Sequence, residues 1–212
     1  MYAALYVVGD LETYQINPEQ YLSANALPIL DPLLKDRRPR NEWKYADLEP
    51  LLVDLKPGRS YATGKQMFQV ATCHACHRFN EVGNAFAPDL SQLDAQWKPA
   101  DLLKNIVEPS HTIHEKYQTW VFALNDGKVF TAVILEETAD SYKVIENPLA
   151  KAEPLIISKS DVEERKKSDV STMPKGLLDT LTRDEILDLL AYILAKGSAE
   201  HEYFQGSKHH HP

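Results

Sequence analysis

Apolar and polar positions follow two different periods along this chain. In "SYATGKQMFQVA" (60–71), "KPADLLKNIVEP" (98–109) and "LTRDEILDLLAYILAKG" (181–197) the apolar residues recur three and four apart, the spacing of a helix with one buried face. The first stretch opens on a Ser cap. The second carries Pro early, sets Leu102, Leu103, Ile106 and Val107 on one face, and stops at Pro109. The third has the strongest signals. Thr182 and Glu185 form a capping box, Ile186, Leu187, Leu189, Leu190, Ile193 and Leu194 form a buried stripe, and Gly197 closes the helix. Between the second and third stretches the period drops to two. "TWVFALNDGKVFTAVILEE" (119–137) is a pair of β-branched and aromatic runs around Asn125-Asp126-Gly127, a hairpin signal, and "SYKVIEN" and "PLIIS" read as two more short strands.

Residues 1–57 follow neither period. Prolines at 28, 32 and 39 forbid a long helix, and only "YADLEPLLVDL" (45–55) holds a helical turn or two before "KPG" ends it. This part reads as an extended arm or linker. The first residues have a brief apolar segment with no basic residue before it and no cleavage site, so they are not read as a signal peptide.

A length of 212 residues suits one good core plus a smaller appendage, and no apolar run is long enough to span a bilayer. Acids outnumber bases 31 to 23, a formal charge of −8, which disfavours a nucleic-acid partner. The basic runs "KDRRPR" (35–40) and "EERKK" (163–167) are short, mixed with acids, and read as solvated surface. Two cysteines are too few for a disulfide framework.

Both cysteines fall in "VATCHACHRFN" (70–80), three apart, with His77 directly after the second. A structural zinc needs four ligands, and there is no second cysteine pair. A thioredoxin-like pair needs a strand-to-helix junction, whereas here a helix runs into a polar loop. The remaining reading is covalent haem attachment, C-x-x-C-H. Cys73 and Cys76, one helical turn apart, can form thioethers to one haem, and His77 is then held under the iron as proximal ligand. His74, between the cysteines, is expected to point to solvent.

At this point three stretches resemble a known family. "GKQMFQVATCHACHRFNEVGNAFAPDLSQLD", "LLKNIVEPSHTIHEKYQTWVFALNDGK" and "STMPKGLLDTLTRDEILDLLAYILAKG" are similar to the haem-binding domain of Planctomycetes and Verrucomicrobia, a cytochrome c variant, over about residues 58–205. The resemblance implies a mainly α protein. Its helical haem domain, 58–205, would have helices at 60–70, 99–107 and 183–196 and a small antiparallel sheet inserted at about 117–158; the N-terminal arm at 1–57 would precede it, and residues 206–212 read as a disordered tail. "FAPDL" resembles the loop in which a proline carbonyl, here Pro88, accepts a hydrogen bond from the proximal His. Ala87 stands where many relatives carry Gly.

The resemblance also implies a sixth ligand. Met173, in "VSTMPKGLL", precedes the last helix, where cytochromes c present their distal thioether. Met67 lies on an apolar helix face and reads as core filler. His111 and His114 read as exposed or loop-anchoring, and His209 to His211 as a tail or purification remnant. A single covalent haem c held by His77 and Met173 has no open coordination position. That implies one-electron transfer with no catalysis, and redox partners in the form of a dehydrogenase donor and another carrier as acceptor, outside the cytoplasm. The alternatives are a haem enzyme or gas sensor with a displaceable sixth ligand, and a docking module in which haem is only structural.

Overall fold

The computed structural model describes residues 41–79, 82–83, 87–146 and 154–206. They divide into two units, one formed by the chain up to Val107 and from Gly176 onward, the other by Glu108–Lys175. The first 40 residues of the expected arm and the histidines at 209–211 lie outside the described residues. No described helix is long and apolar enough to cross a membrane.

The first unit is helical: α1 (Tyr45–Leu48), α2 (Tyr61–Val70), α3 (Pro99–Val107) and α4 (Arg183–Leu194). The Ser60 hydroxyl caps α2 by accepting from the Thr63 amide at 3.2 Å. On α4 the Thr182 amide donates to Glu185 Oε2 at 2.8 Å while Thr182 Oγ1 accepts from the Glu185 amide, so the capping box closes in both directions. α4 is more deeply sunk than a one-faced stripe, because every residue from Ile186 to Ile193 is buried, Asp188 included. Asp188 is tolerated there because it accepts from the Ser60 amide at 3.1 Å and pairs with Arg59 Nε at 3.2 Å. Helices α2 and α4 cross closely at Gly64, which has no Cβ to hold the α4 backbone away. Part of the arm belongs to this unit. Trp43 donates its indole N–H to the Leu181 carbonyl, and Leu48 is 1% exposed.

The second unit is an antiparallel sheet of β3 (Thr119–Leu124), β4 (Val129–Glu137), β5 (Ser141–Ile145), β6 (Leu155–Ser158) and β7 (Val162–Lys167), in the order β6-β5-β4-β3-β7. Two short strands, β1 (Arg78–Phe79) and β2 (Val82–Gly83), pair in the first unit. The β3–β4 turn falls at Asn125–Gly127 as the sequence predicts, with Gly127 at φ 86°, where only glycine is unstrained. The sheet closes over its own core of Phe122, Ala132, Tyr142, Val144 and Ile157. Curling is visible in Arg165. It sits on β7, three strand spacings (about 14 Å in a flat sheet) from Tyr142 on β5, yet its guanidinium lies 4.7 Å from that ring and 4.4 Å from Trp120. Glu137 receives both Lys159 (2.8 Å) and Arg165 (3.0 Å).

The expectation of a mainly α protein with a small inserted sheet is therefore overturned. The described chain has four α-helices and a five-stranded antiparallel sheet with a core of its own. The fifth strand is "VEERKK", whose charges read as solvated surface and which lies past the expected end of the insertion. Glu163, Glu164, Lys166 and Lys167 do stay exposed, as expected. What the sequence does not show is the strand itself, because it is held by backbone pairing with β3 and by Arg165 stacking on aromatic rings, neither of which leaves a hydrophobic pattern.

Lys159 and then Arg165 hold the Glu137 carboxyl below its ordinary value of 4.5. A lowered folded value means that the stabilisation is complete above the ordinary value and is lost as pH falls through the folded one. Glu137→Gln should therefore unfold at a lower denaturant midpoint than the parent at neutral pH. The gap should shrink to nothing on acidification, as followed by near-ultraviolet circular dichroism.

Candidate haem site

The haem motif begins where α2 ends. α2 ends at Val70, and Thr72, one residue before Cys73, adopts the left-handed conformation (φ 57°, ψ 18°), rare for a β-branched residue, which keeps the helix from running on into the motif. Cys73–Ala75 then form a single 3-10 turn. The Cys73 carbonyl accepts from both the Cys76 amide (3.2 Å) and the His77 amide (2.9 Å). One tight turn thus carries both thiols and the imidazole.

Both cysteines are free thiols, Cys73 buried and Cys76 half-buried. Burial pushes the Cys73 thiol up to about 12, with the neighbouring Cys76 adding to the rise, and burial raises Cys76 as well. His77 Nδ1 lies 2.8 Å from the Pro88 carbonyl oxygen. A carbonyl can only accept, so Nδ1 carries the proton and the lone pair sits on Nε2. Burial lowers the His77 pKa, and the Pro88 carbonyl opposes that shift only in part. The ring is therefore neutral at neutral pH, the state in which a histidine binds iron.

The Pro88 loop is fixed from both sides. The Ala87 amide donates to the Cys76 carbonyl at 2.8 Å, and Asp89 Oδ1 accepts from the Ser91 amide (2.9 Å) and hydroxyl (2.6 Å), capping the turn Leu90–Gln92. After His77 the chain is anchored by Phe79, 4% exposed, which stacks on Tyr192 of α4 at 4.9 Å and meets Phe68 of α2 edge-on at 5.3 Å. Asp89 and Phe79 were not legible as site residues. An Asp two before a Ser is a cap signal, but nothing local says what the cap holds.

Cys73, Cys76, His77 and Pro88 thus come together within one unit. Met173 lies in the other unit, half-buried in a loop, its amide donating to Ser171 Oγ at 3.1 Å. Met67 is fully buried on α2, as core filler should be. His111 and His114 are exposed, and His114 Nδ1 is engaged by the Lys116 amide. The expectation for His74 is not met. Its side chain is half-buried, with Nδ1 inaccessible and without a hydrogen-bond partner among the described residues. The turn that brings the two thiols together also rotates this intervening side chain inward.

The residues present fit a covalently attached haem. Two unpaired thiols lie on one turn beside a neutral imidazole whose coordinating nitrogen is left free by the bond at the other. Among the described residues no group of three or more His, Cys, Asp or Glu side chains is arranged to hold a metal ion on its own.

Residues 61–128 match the family model described as cytochrome c. The match covers about a third of the chain, running from α2 through the cysteine motif, the Pro88 loop and α3 to the β3–β4 turn. Comparison with curated proteins finds no match. The family match supports a c-type cytochrome, with covalently bound haem and electron transfer as its role.

Proposed function

We propose that this chain is a one-electron carrier with a single haem c, attached through Cys73 and Cys76 and ligated by His77 and Met173, and that it is not itself an enzyme. Bound haem would supply reversible exchange between Fe(II) and Fe(III). The observation that carries the reading is the 2.8 Å bond from His77 Nδ1 to the Pro88 carbonyl, beside two free thiols on the same turn. His77 contributes a neutral, oriented nitrogen. The carbonyl raises its basicity and fixes the ring. Cys73 and Cys76 fix the group to the turn, and Phe79 with Tyr192 fastens the strand that follows.

Met173 as sixth ligand is supported by its place in the loop before α4 and by the resemblance of its "MP-x-GL" phrase to the planctomycete and verrucomicrobial domains. Two protein ligands leave no position for substrate, which favours electron transfer over catalysis. The compartment is extracytoplasmic, because cytochrome c domains usually are. The natural donor is a dehydrogenase, and the acceptor another carrier.

The test is a visible spectrum of the purified holoprotein, oxidised and reduced. His/Met ligation gives the ferric form a weak thioether-to-iron band at the red end. Met173→Ala should abolish that band, leave the haem attached, admit imidazole and carbon monoxide, and lower the midpoint potential. Met67→Leu should leave the spectrum alone and cost under roughly 1.5 kcal/mol of stability. An exchange of these two behaviours would make Met67 the ligand, and no change in either would turn attention to His111 and His114.

A further inference from the structure

The loop that carries Met173 has no regular structure of its own, and it is held by the stretch of chain that enters the β unit. Beyond the last β3–β7 pair, the Ser168 amide donates to the Thr119 carbonyl at 2.9 Å and Gln118 Nε2 donates to the Ser168 carbonyl at 2.7 Å. The Thr119 hydroxyl, in a residue 3% exposed, donates to the Val170 carbonyl at 2.9 Å. Further along, the Ser171 amide donates to Ser110 Oγ at 3.0 Å, and Ser171 Oγ accepts from the Met173 amide at 3.1 Å. Residues 110–119 and 168–173 are thus laced together up to the Met173 backbone itself.

We propose that Thr119 and Ser110 are positioning residues for Met173, so that the entry stem of the β unit presents the sixth ligand. This rests on Met173 being that ligand. A free loop would lose conformational entropy each time its thioether was held in place. A loop already fixed at Val170 and Ser171 has lost that entropy on folding. Thr119 has the larger part, since its hydroxyl is buried and removing it leaves the Val170 carbonyl without its donor. A stem that merely fastened the ends of the β unit would affect unfolding and leave the iron's ligand competition untouched.

The experiment is an imidazole titration of the holoprotein, followed by the thioether band and the Soret maximum, in the parent, Thr119→Val, Thr119→Ser, Ser110→Ala and Met173→Ala. Loss of one such bond corresponds to roughly tenfold tighter imidazole binding for Thr119→Val and about threefold for Ser110→Ala. Thr119→Ser, which keeps the hydroxyl, should behave as the parent, and haem content should be unchanged throughout. A readout independent of the iron is amide hydrogen exchange, which should quicken at Ser171 and Met173 in Ser110→Ala.

Suppose Met173→Ala binds imidazole more tightly while Thr119→Val and Ser110→Ala titrate as the parent. The positioning role is then overturned and the ligand assignment stands. If Met173→Ala itself titrates as the parent, the ligand assignment falls and the proposal with it. Should Thr119→Val fail to fold, the Ser110→Ala titration and exchange decide the matter alone.

Discussion

Purified holoprotein run on a denaturing gel should keep a haem-stained band at the mass of the chain, and acid–acetone should extract no haem from it. The Cys73→Ala, Cys76→Ala double variant should retain essentially none, and each single variant far less than the parent. His77→Gly is the more telling change. It leaves both thiols, so attachment should survive, but it removes the nitrogen that the Pro88 carbonyl orients. The variant's spectrum should become that of a haem missing its proximal ligand, and added imidazole should restore much of the parent's. Complete extraction of haem from the intact protein would end the c-type reading. It would leave Cys73 and Cys76 as two buried or half-buried thiols with no assigned work.

The second large effect concerns the helix crossing beneath the site. At Gly64 an added Cβ would collide with the Asp188 backbone carbonyl and lie 2.7 Å from Tyr192 Cβ. Helix propensity favours Ala over Gly by about 1 kcal/mol. The collision is with a backbone that α4, buried along its length, cannot easily move, and overpacking of this kind costs about 1–3 kcal/mol and occasionally more. The collision should win. Gly64→Ala should lose on the order of 2 kcal/mol net, and Gly64→Val more, as measured by denaturant midpoints. Because Tyr192 carries the Phe79 stack, a shift of α4 should also disturb the strand after His77. Gly206→Ala, at a position with open space, is the control. A Gly64→Ala protein as stable as the parent would mean that the two helices have room to slide apart.

Some of this molecule is written in short stretches of sequence because short stretches suffice to specify it. A capping box needs Thr182 and Glu185 three apart. A hairpin turn needs a residue such as Gly127 that accepts positive φ. A haem motif needs Cys73, Cys76 and His77 on one turn. Each is stabilised by bonds between near neighbours, and so the course of α2 and α3, the capped start of α4 and the β3–β4 turn were legible before any folding was considered, while α4 ends at Leu194, two residues short of the expected 196. The resemblance to known haem domains added Pro88 as the partner of His77, which the structure shows, and Met173 as the proposed ligand, and it carried with it a helical emphasis that the five-stranded sheet overturns.

What the sequence left open depends on residues far apart along the chain. Strand β7 keeps most of its charges in solvent, as its composition suggests, but that it is a strand shows only when β3 supplies its ladder and Trp120 and Tyr142 supply faces for Arg165. Asp188 looks like a polar residue at a helix surface until Arg59 and the Ser60 amide, 128 residues away, pair with it. Trp43 looks like part of a linker until its indole meets the Leu181 carbonyl, and His74 looks exposed until the turn rotates it inward. The hold of Ser110 and Thr119 on the Met173 loop is of the same kind. Periodicity reports burial through hydrophobicity. It is silent where a charged strand is held by backbone pairing and ring stacking, or where one hydroxyl reaches a carbonyl about fifty residues on, because those interactions exist only once the chain has folded.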